Sequence, residues 1–493
     1  MKFLLAILMV GPAYAEYDGL INLGERLFSD PRFSQEFATQ SASINDPNTK
    51  GISCLDCHKV DSDFDPTTGL GMRTYSDSVA KTPVPLRLED KIDQTLRNTP
   101  ALVGIGSPFS ATRFSHWDGE FADHSETVLG NFAGRNMGWL QSEKNRALDQ
   151  IIAVISGDDG SLELSQEFGG SYDRVLLGVD PSLSDELRLN ENDRLDVKTA
   201  SKQDIIDLVI KSVTAYLNDL SFERDENDQY IGSPYDQFLL ANGFKSAPSP
   251  GQTVNQYMVE LRSGLAKLNE PKFIAKKYFP THGREFGFGE QEWAGLKVFF
   301  NLPKADGSLN QGMCLVCHKP PTFSDGLFHN IGTTQLEYER VHGQGTFKQL
   351  QIPELDQRGE TFMAASSTIE DPQAVDLGVW NFFARDDKPE LTQYIRKTHC
   401  RDLNNCPNEA LLPFMVAKFK TPGLRNLNHS APYFHNGSSP HLYHLLHEYK
   451  RASNLMRAGE LRNGDPRLRP MKLFHHEIHS LVPFLESLNE NYE

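Results

Sequence analysis

The sequence predicts a mainly α-helical fold arranged as two tandem domains with long loops. Three observations carry that expectation: apolar residues recur at helical spacing, convincing strand alternation is scarce, and a set of short motifs occurs twice in outline along the chain. The length of 493 residues agrees, since domains of ~100–200 residues give two or three of them. Residues 203–220 place Ile205, Ile206, Leu208, Val209, Val213, Tyr216 and Leu217 on one helical face. Residues 289–300 read as a second helix, with Trp293, Leu296, Val298, Phe299 and Phe300. Residues 475–488 read as a third, with Ile478, Leu481, Val482, Phe484 and Leu485. The Pro-, Gly- and Ser-containing stretch 246–251 reads as the connection between halves.

Composition removes whole classes of function. With 23% charged and 39% apolar residues the chain is neither disordered nor collagenous, and no stretch approaches the ~18 consecutive apolar residues of a membrane span. The 49 basic against 66 acidic residues give a net charge of −17, which repels nucleic acid and anionic lipid and favours a basic partner. Residues 1–15 combine one positive charge, a short apolar run and Ala13-Tyr14-Ala15, the pattern of a secretory signal peptide cut after Ala15. The expected location is a bacterial periplasm, where disulfides form.

Four of the six cysteines fall in Cys54-Leu55-Asp56-Cys57-His58 and Cys314-Leu315-Val316-Cys317-His318. Each is CxxCH, the pattern in which two thiols bond covalently to haem and the adjacent imidazole, His58 or His318, becomes an iron ligand. A redox dithiol needs no trailing His, and a zinc site needs further ligands grouped nearby. Cys400 and Cys406 lack such a pattern and are expected to form a small-loop disulfide.

The outline repeat follows the two CxxCH motifs. Arg97-Asn98-Thr99-Pro100 and His116-Trp117-Asp118-Gly119 follow the first; residues 419–426 and Phe434-His435-Asn436-Gly437 follow the second. The expected division is an N-terminal haem domain over 16–250 and a C-terminal one over 251–493. His58 precedes Pro100 by 42 residues whereas His318 precedes Pro422 by 104, so an insertion of about 60 residues, at about 335–415, is expected in the second domain.

These motifs, with Ser233-Pro234-Tyr235-Asp236, residues 328–332 and Ala431-Pro432-Tyr433 in the same order, resemble those of the bacterial di-haem cytochrome c peroxidase superfamily, including its MauG-type branch. The resemblance implies two cytochrome c-like domains, two covalently bound haem c groups, a bridging tryptophan and a calcium ion. It also implies chemistry that starts with hydrogen peroxide at the N-terminal, peroxidatic haem, the second haem serving electron transfer. Asn98, Ser430 and Pro432 match the family's calcium ligands, and Trp117 matches the tryptophan between the haems.

The sixth iron ligand separates the family's activities. Ordinary peroxidases place Met twelve residues after the Gly of the motif matched by His435-Asn436-Gly437, and MauG-type members place Tyr; that position is Tyr449. A phenol oxygen lowers the iron's potential, whereas a thioether raises it. Met456 or a His is the alternative. Family members that activate by reduction carry a distal His soon after the first CxxCH, and none occurs between His58 and His116. An open first iron is expected, with Met72 ligation the alternative. At the family's distal Gln and Glu stand Thr127 and, within one residue, Asn136 or Met137. Glu126, Asn136, His124 and Arg135 are the candidates to handle the peroxide proton, and Glu120 stands where the family has Arg. Trp117, Glu126 and Asn136 are the catalytic candidates. The remaining histidines, among them His441, His444, His447 and the pair His475-His476, are read as solvated or hydrogen-bonding side chains, with metal ligation the alternative.

Three functions compete on these residues. The first is a MauG-like oxidase or peroxidase acting on a protein or organic electron donor; the second a peroxide-detoxifying enzyme fed by a small cytochrome or cupredoxin; the third a non-enzymatic di-haem electron carrier. Tyr449 and the missing distal His favour the first. The maturation enzyme's Trp two residues before the second CxxCH is Gly312 here, which argues against tryptophylquinone maturation as the role.

Overall fold

The computed structural model describes residues 19–40, 51–58, 84–92, 94–110, 114–353 and 367–490. The expected signal peptide lies outside the described residues, as do Met72 and Tyr75. The protein is mainly helical, and among the described residues its strands form two short antiparallel pairs, Ile274–Phe279 with Arg284–Phe288 and Phe328–His329 with Phe419–Lys420. Among the described residues no helix is long and apolar enough to cross a membrane.

The chain forms two compact units, one from residues 1–53 and 131–219, the other from 54–130 and 220–493. Both CxxCH motifs fall in the second unit. The halves 16–250 and 251–493 describe where motifs recur along the sequence, which is a different property from how the backbone is packed.

In the first unit the helix Gly19–Ser29 lies against Lys202–Asp219. All seven apolar positions expected on the second of these helices are buried. The crossing is close because Gly24 has no side chain; a Cβ there would run into the Ser212 carbonyl. Beside it sits a buried ionic network. Arg26 Nη2 and Arg32 Nη1 reach Asp158 at 2.6 and 2.9 Å, Arg32 Nη2 reaches Asp30 at 2.6 Å, and the Tyr172 hydroxyl donates to Asp30 at 3.0 Å. Such a group of charges is tolerable out of water because each is paired and hydrogen-bonded.

Among its described residues the second unit has two large apolar cores, beside a small cluster of Phe222, Tyr230 and Ala247. One joins Tyr235, Phe238, Leu296, Phe299, Ile478, Leu481 and Phe484 from the helices Pro234–Ala241, Glu290–Phe299 and His475–Glu486. The last two are the helices expected at 289–300 and 475–488, and Gly295 lets them cross closely under the Ser480 carbonyl. The other core gathers Phe347, Leu377, Val379, Trp380, Phe383, Leu391, Ile395 and Met415 with Phe114 and Phe328. Most of it comes from the 335–415 segment, whose helices Pro389–His399 and Asn408–Met415 flank the Cys400–Cys406 disulfide. The 335–415 segment thus supplies most of an apolar core shared with Phe114 and Phe328, and Cys400 and Cys406 form the expected disulfide.

Arg425, buried, fixes the first of these cores. Its Nη1 and Nη2 make a bidentate pair with Asp236 at 2.8 and 2.8 Å, its Nε donates to the Pro321 carbonyl at 2.8 Å, and its guanidinium lies 4.2 Å from the Tyr230 ring centre. Glu490 stands 3.5 Å from the same guanidinium. Burial pushes the Glu490 carboxyl up to about 8 even though Arg425 opposes the shift. Between its ordinary value of 4.5 and about 8 the folded protein therefore holds a proton that the unfolded chain has lost. The stability this contributes is complete at the acid end and is lost as pH rises. His282, which burial depresses to about 4, acts with the opposite sign, but only up to its ordinary 6.5. The denaturation midpoint is expected to fall from about pH 6.5 to about pH 8, and Glu490→Gln to flatten that fall. Denaturant titrations at both pH values check this; an equal fall in the variant assigns it to other groups.

Candidate functional site

The two CxxCH segments have the same local geometry. Cys54–Asp56 and Cys314–Val316 each form one turn of 3-10 helix. In each, the first cysteine's carbonyl accepts from the second cysteine's N–H at 3.2 Å and from the histidine's N–H at 2.8 Å. This turn brings two thiols and an imidazole to one loop. Burial pushes Cys54 and Cys314 up to about 12, the opposite of the lowered value a thiol-exchange pair needs. The four motif cysteines are not disulfide-bonded.

His318 is oriented for a metal. Its Nδ1 lies 2.8 Å from the Phe323 carbonyl, so Nε2 is the nitrogen left for an iron, and burial lowers its pKa and keeps the ring neutral. The residues therefore fit a covalently attached haem. They do not make a two-thiol zinc centre. Among the described residues the grouping with metal-ligand spacing is Cys317, Asp325 and His329, which takes one thiol of the pair. His329 is already engaged, with Nδ1 at 2.7 Å from Asp465 and Nε2 at 3.0 Å from Asp325.

Tyr449 lies on the helix Leu442–Ala458, on the face that also carries the buried Leu442, Leu446 and Ala452. Burial first, then the neighbouring Cys317 and Cys314 thiols, push its hydroxyl above the ordinary phenol range. The phenol is thus electrostatically close to the second CxxCH. A small pocket lies beside it, lined in part by Ile331, Thr333, Leu336 and Phe434. Met456, on the same helix, packs toward Gly464, whose added Cβ would stand 3.0 Å from its sulfur. His444 is bonded to Ser439 at 2.9 Å.

The motifs of the outline repeat converge on Asn98. Its backbone N–H donates to the His435 carbonyl at 2.7 Å and its side-chain amide donates to the carbonyls of Pro432 at 2.5 Å and Phe434 at 3.2 Å. Its own carbonyl accepts from Trp117 Nε1 at 2.7 Å. The Trp117 carbonyl in turn accepts from Lys420 N at 2.7 Å. Three of the expected residues, Asn98, Pro432 and Trp117, are thereby joined, with Ser430 buried two residues before Pro432. Next to them Arg97 bridges Asp118 at 2.5 Å and Asp376 at 2.6 Å. Burial opposes the charge on Arg97, and the two carboxylates outweigh it, holding the guanidinium above its ordinary range. His435 stacks on Phe419 with ring centres 3.5 Å apart.

Sequence reasoning missed Asp376 and Lys420 as parts of this site. Asp376 sits in the insertion, 279 residues from Arg97, and no local spacing signals the pairing. Lys420 donates to the Phe114 carbonyl at 2.5 Å, and burial pushes its ammonium down to about 8. Its place after Phe419 in the repeated motif was the available signal.

Of the distal candidates, Glu126 and Asn136 lie at the surface, whereas His124 is buried and Arg135 half-buried. Glu126 is exposed and its Oε2 accepts from Ala122 N at 3.0 Å, at the start of the helix His124–Phe132. Asn136, in the other unit, is exposed and donates to Asn131 Oδ1 at 2.9 Å. Glu120 pairs with His116 at 2.8 Å; burial would raise its pKa, but that contact outweighs burial and lowers it. Gly312 has no room for a side chain, because a Cβ there would collide with the Val298 carbonyl oxygen.

Two haem-attachment turns on a mainly helical chain define a di-haem c-type protein. The model of the di-haem cytochrome c peroxidase family, the MauG-containing family, matches residues 18–243, and that of RoxA-like, cytochrome c-like proteins matches 419–455, the segment holding Asn426, Pro432 and Tyr449. Over residues 18–243 the chain is thus similar to the di-haem cytochrome c peroxidase family, a likeness that implies two haem c cofactors. A cytochrome-c peroxidase, IdrP1 of Pseudomonas sp. (strain SCT), is 35% identical over 77 residues, covering 16% of this chain and 19% of that protein. The matched stretch is thus under a fifth of that relative's length. Among solved structures, the di-haem peroxidase BthA of Burkholderia thailandensis is 17% identical, with 96% of this chain and 86% of that one covered at a TM-score of 0.48. A MauG-like protein associated with microbial copper homeostasis is 14% identical, with 96% and 89% covered at a TM-score of 0.47.

Replacing Cys314 and Cys317 together by Ala is expected to leave one covalently bound haem, as is replacing Cys54 and Cys57. Haem absorbance per protein, read after denaturation and extraction of unattached haem, should halve in each variant; full retention would remove that motif from haem attachment.

Proposed function

We propose that this chain is a periplasmic di-haem peroxidase or oxidase of the MauG-like branch, which reduces hydrogen peroxide with electrons drawn from a protein or organic donor. The signal peptide 1–15 directs export; 16–250 carries the peroxidatic haem and 251–493 the electron-transfer haem. The observation that supports this reading most is the position of Tyr449, close enough to Cys314 and Cys317 to feel both thiols. When bound, the haems supply peroxide reduction at the first motif and storage and relay of oxidising equivalents at the second. Overall, one peroxide, two electrons and two protons give two waters.

The chain's residues divide that work. Cys54, Cys57, Cys314 and Cys317 would anchor the two haem groups, and His58 and His318 would ligate their irons. Tyr449 would supply a hard oxygen to the second iron, which would lower its potential. Trp117, whose indole N–H donates to the Asn98 carbonyl and whose own carbonyl accepts from Lys420 N, would carry electrons between the two centres. Glu126 takes and returns the peroxide proton; its Oε2 is bonded to Ala122 N, so Oε1 is the oxygen that exchanges it. Asn136 orients peroxide through its amide. Asn98, Ser430 and Pro432 hold calcium. The meeting of the Asn98 amide with the Pro432 carbonyl supports this, because turning that amide puts two oxygens where a cation fits between them.

Adding one equivalent of peroxide to the diferric holoprotein is expected to change the haem spectrum in a way that outlasts the peroxide. Tyr449→Met should abolish the persistent form, and an unchanged resting spectrum in that variant would remove Tyr449 as a ligand. A calcium chelator should lower peroxide turnover several-fold and Asn98→Ala should reproduce the loss; indifference to both would remove the calcium site.

A second reading, peroxide detoxification with a small cytochrome or cupredoxin donor, is favoured by the stretch shared with a named cytochrome-c peroxidase. The net charge of −17 suits a basic donor. It predicts fast turnover with a reduced basic cytochrome, weakened by salt. Slow turnover with every such donor, alongside the persistent spectral form, selects the first reading.

A further inference from the structure

The C-terminal histidines sort into two groups once the helices are placed. His435 stacks on Phe419 and His444 bonds Ser439, so both are occupied near the haem-motif loop. His447, His475 and His479 instead come together on the adjoining helices Leu442–Ala458 and His475–Glu486. Ring centres of His475 and His479 are 4.6 Å apart and those of His447 and His475 are 6.1 Å apart. Tyr443 closes the group, with its ring 4.7 Å from His447 and 5.2 Å from His479, and its hydroxyl 2.7 Å from His475 Nε2.

We infer that His447, His475 and His479 form a binding site for a borderline divalent transition-metal ion, zinc(II) or copper(II), separate from the haem centres and from the proposed calcium site. Three features of the group carry it. His475 and His479 are four residues apart on one helix, the spacing that puts two imidazoles on the same face for one metal. A tetrahedral centre with metal–nitrogen bonds of ~2.0–2.1 Å separates imidazole centres by roughly 5 Å; His475 and His479 stand at 4.6 Å, and His447, 6.1 Å from His475, must swing toward the pair for all three nitrogens to reach one ion. The third imidazole has a nitrogen to give: His447 Nε2 is buried with no hydrogen-bond partner among the described residues, a costly state that a metal would relieve. Tyr443 or water completes four-coordination. Nitrogen donors without a carboxylate select zinc or copper over calcium and magnesium, which require oxygen.

The group also has the exposure to load from solution. His475 and His479 are exposed and His447 is half-buried. Bound there, a metal ties the C-terminal helix to the helix that carries Tyr449. It binds the folded chain and not the unfolded one, so it raises the unfolding temperature.

The test uses the untagged di-haem protein in buffer with excess calcium, titrated with zinc(II) by calorimetry. One equivalent is expected to bind with micromolar or tighter affinity and to raise the unfolding temperature. His479→Gln and His475→Ala should each weaken binding at least tenfold and cancel the temperature rise. His476→Ala, altering a neighbouring exposed histidine that stacks on Phe474 instead, should leave both unchanged. With copper(II), the electron paramagnetic resonance spectrum should show nitrogen hyperfine structure that His479→Gln alters. Absence of one-equivalent binding overturns the proposal. So does equal weakening by His476→Ala, which would mean diffuse adsorption to a histidine-rich surface. Because these readouts do not involve peroxide turnover, they stand or fall independently of the peroxidase reading.

Discussion

Asn98 ties together segments that lie more than 300 residues apart in sequence. Its backbone and amide hold the 432–435 loop, while its carbonyl fixes the indole of Trp117. A buried asparagine whose groups are used this fully tolerates few substitutes, because any shorter or apolar side chain leaves carbonyls unsatisfied away from water. Arg97, its neighbour, adds a charge that two carboxylates must neutralise, and Asp376 of the insertion is one of them. The insertion is therefore part of the frame around Trp117 and not an appendage. That gives a physical reason for its supplying most of an apolar core and holding a disulfide.

Around the second CxxCH the organising constraint is a neutral, fixed imidazole. The Phe323 carbonyl holds one nitrogen of His318, and burial keeps the ring uncharged. The same burial raises the Cys314 thiol and the Tyr449 phenol. Each of these groups resists ionisation in a dry protein environment, and each is also a donor that a cationic iron would stabilise in the opposite direction. An environment adverse to every charged form of its own donors suits a site completed by a cation.

The parts legible in sequence were those set by local rules. The helix at 202–219 was visible because its seven apolar residues repeat with a period that only one side of a helix satisfies, and all seven are buried. The small-loop disulfide was visible because Cys400 and Cys406 stand close together outside either CxxCH, in a chain whose first residues read as an export signal. The strand pair 274–288 was not visible: Ile274–Phe279 is exposed through most of its length and lacks the alternation that marks a half-buried strand. Asn136 came from counting along the chain and Glu126 from its place beside the counted Thr127, which give positions in sequence but not whether a side chain points inward. Both are exposed.

By itself the sequence determined the two haem-attachment turns, since five consecutive residues contain every donor and close their own hydrogen bonds identically at 54–58 and 314–318. Folding decided the rest: which acid neutralises Arg97, what grips the indole of Trp117, and which three of the histidines stand together. Those choices pair residues tens to hundreds of positions apart, and no periodicity or spacing records them, because they are made when apolar faces are buried and the polar groups trapped beside them must find partners.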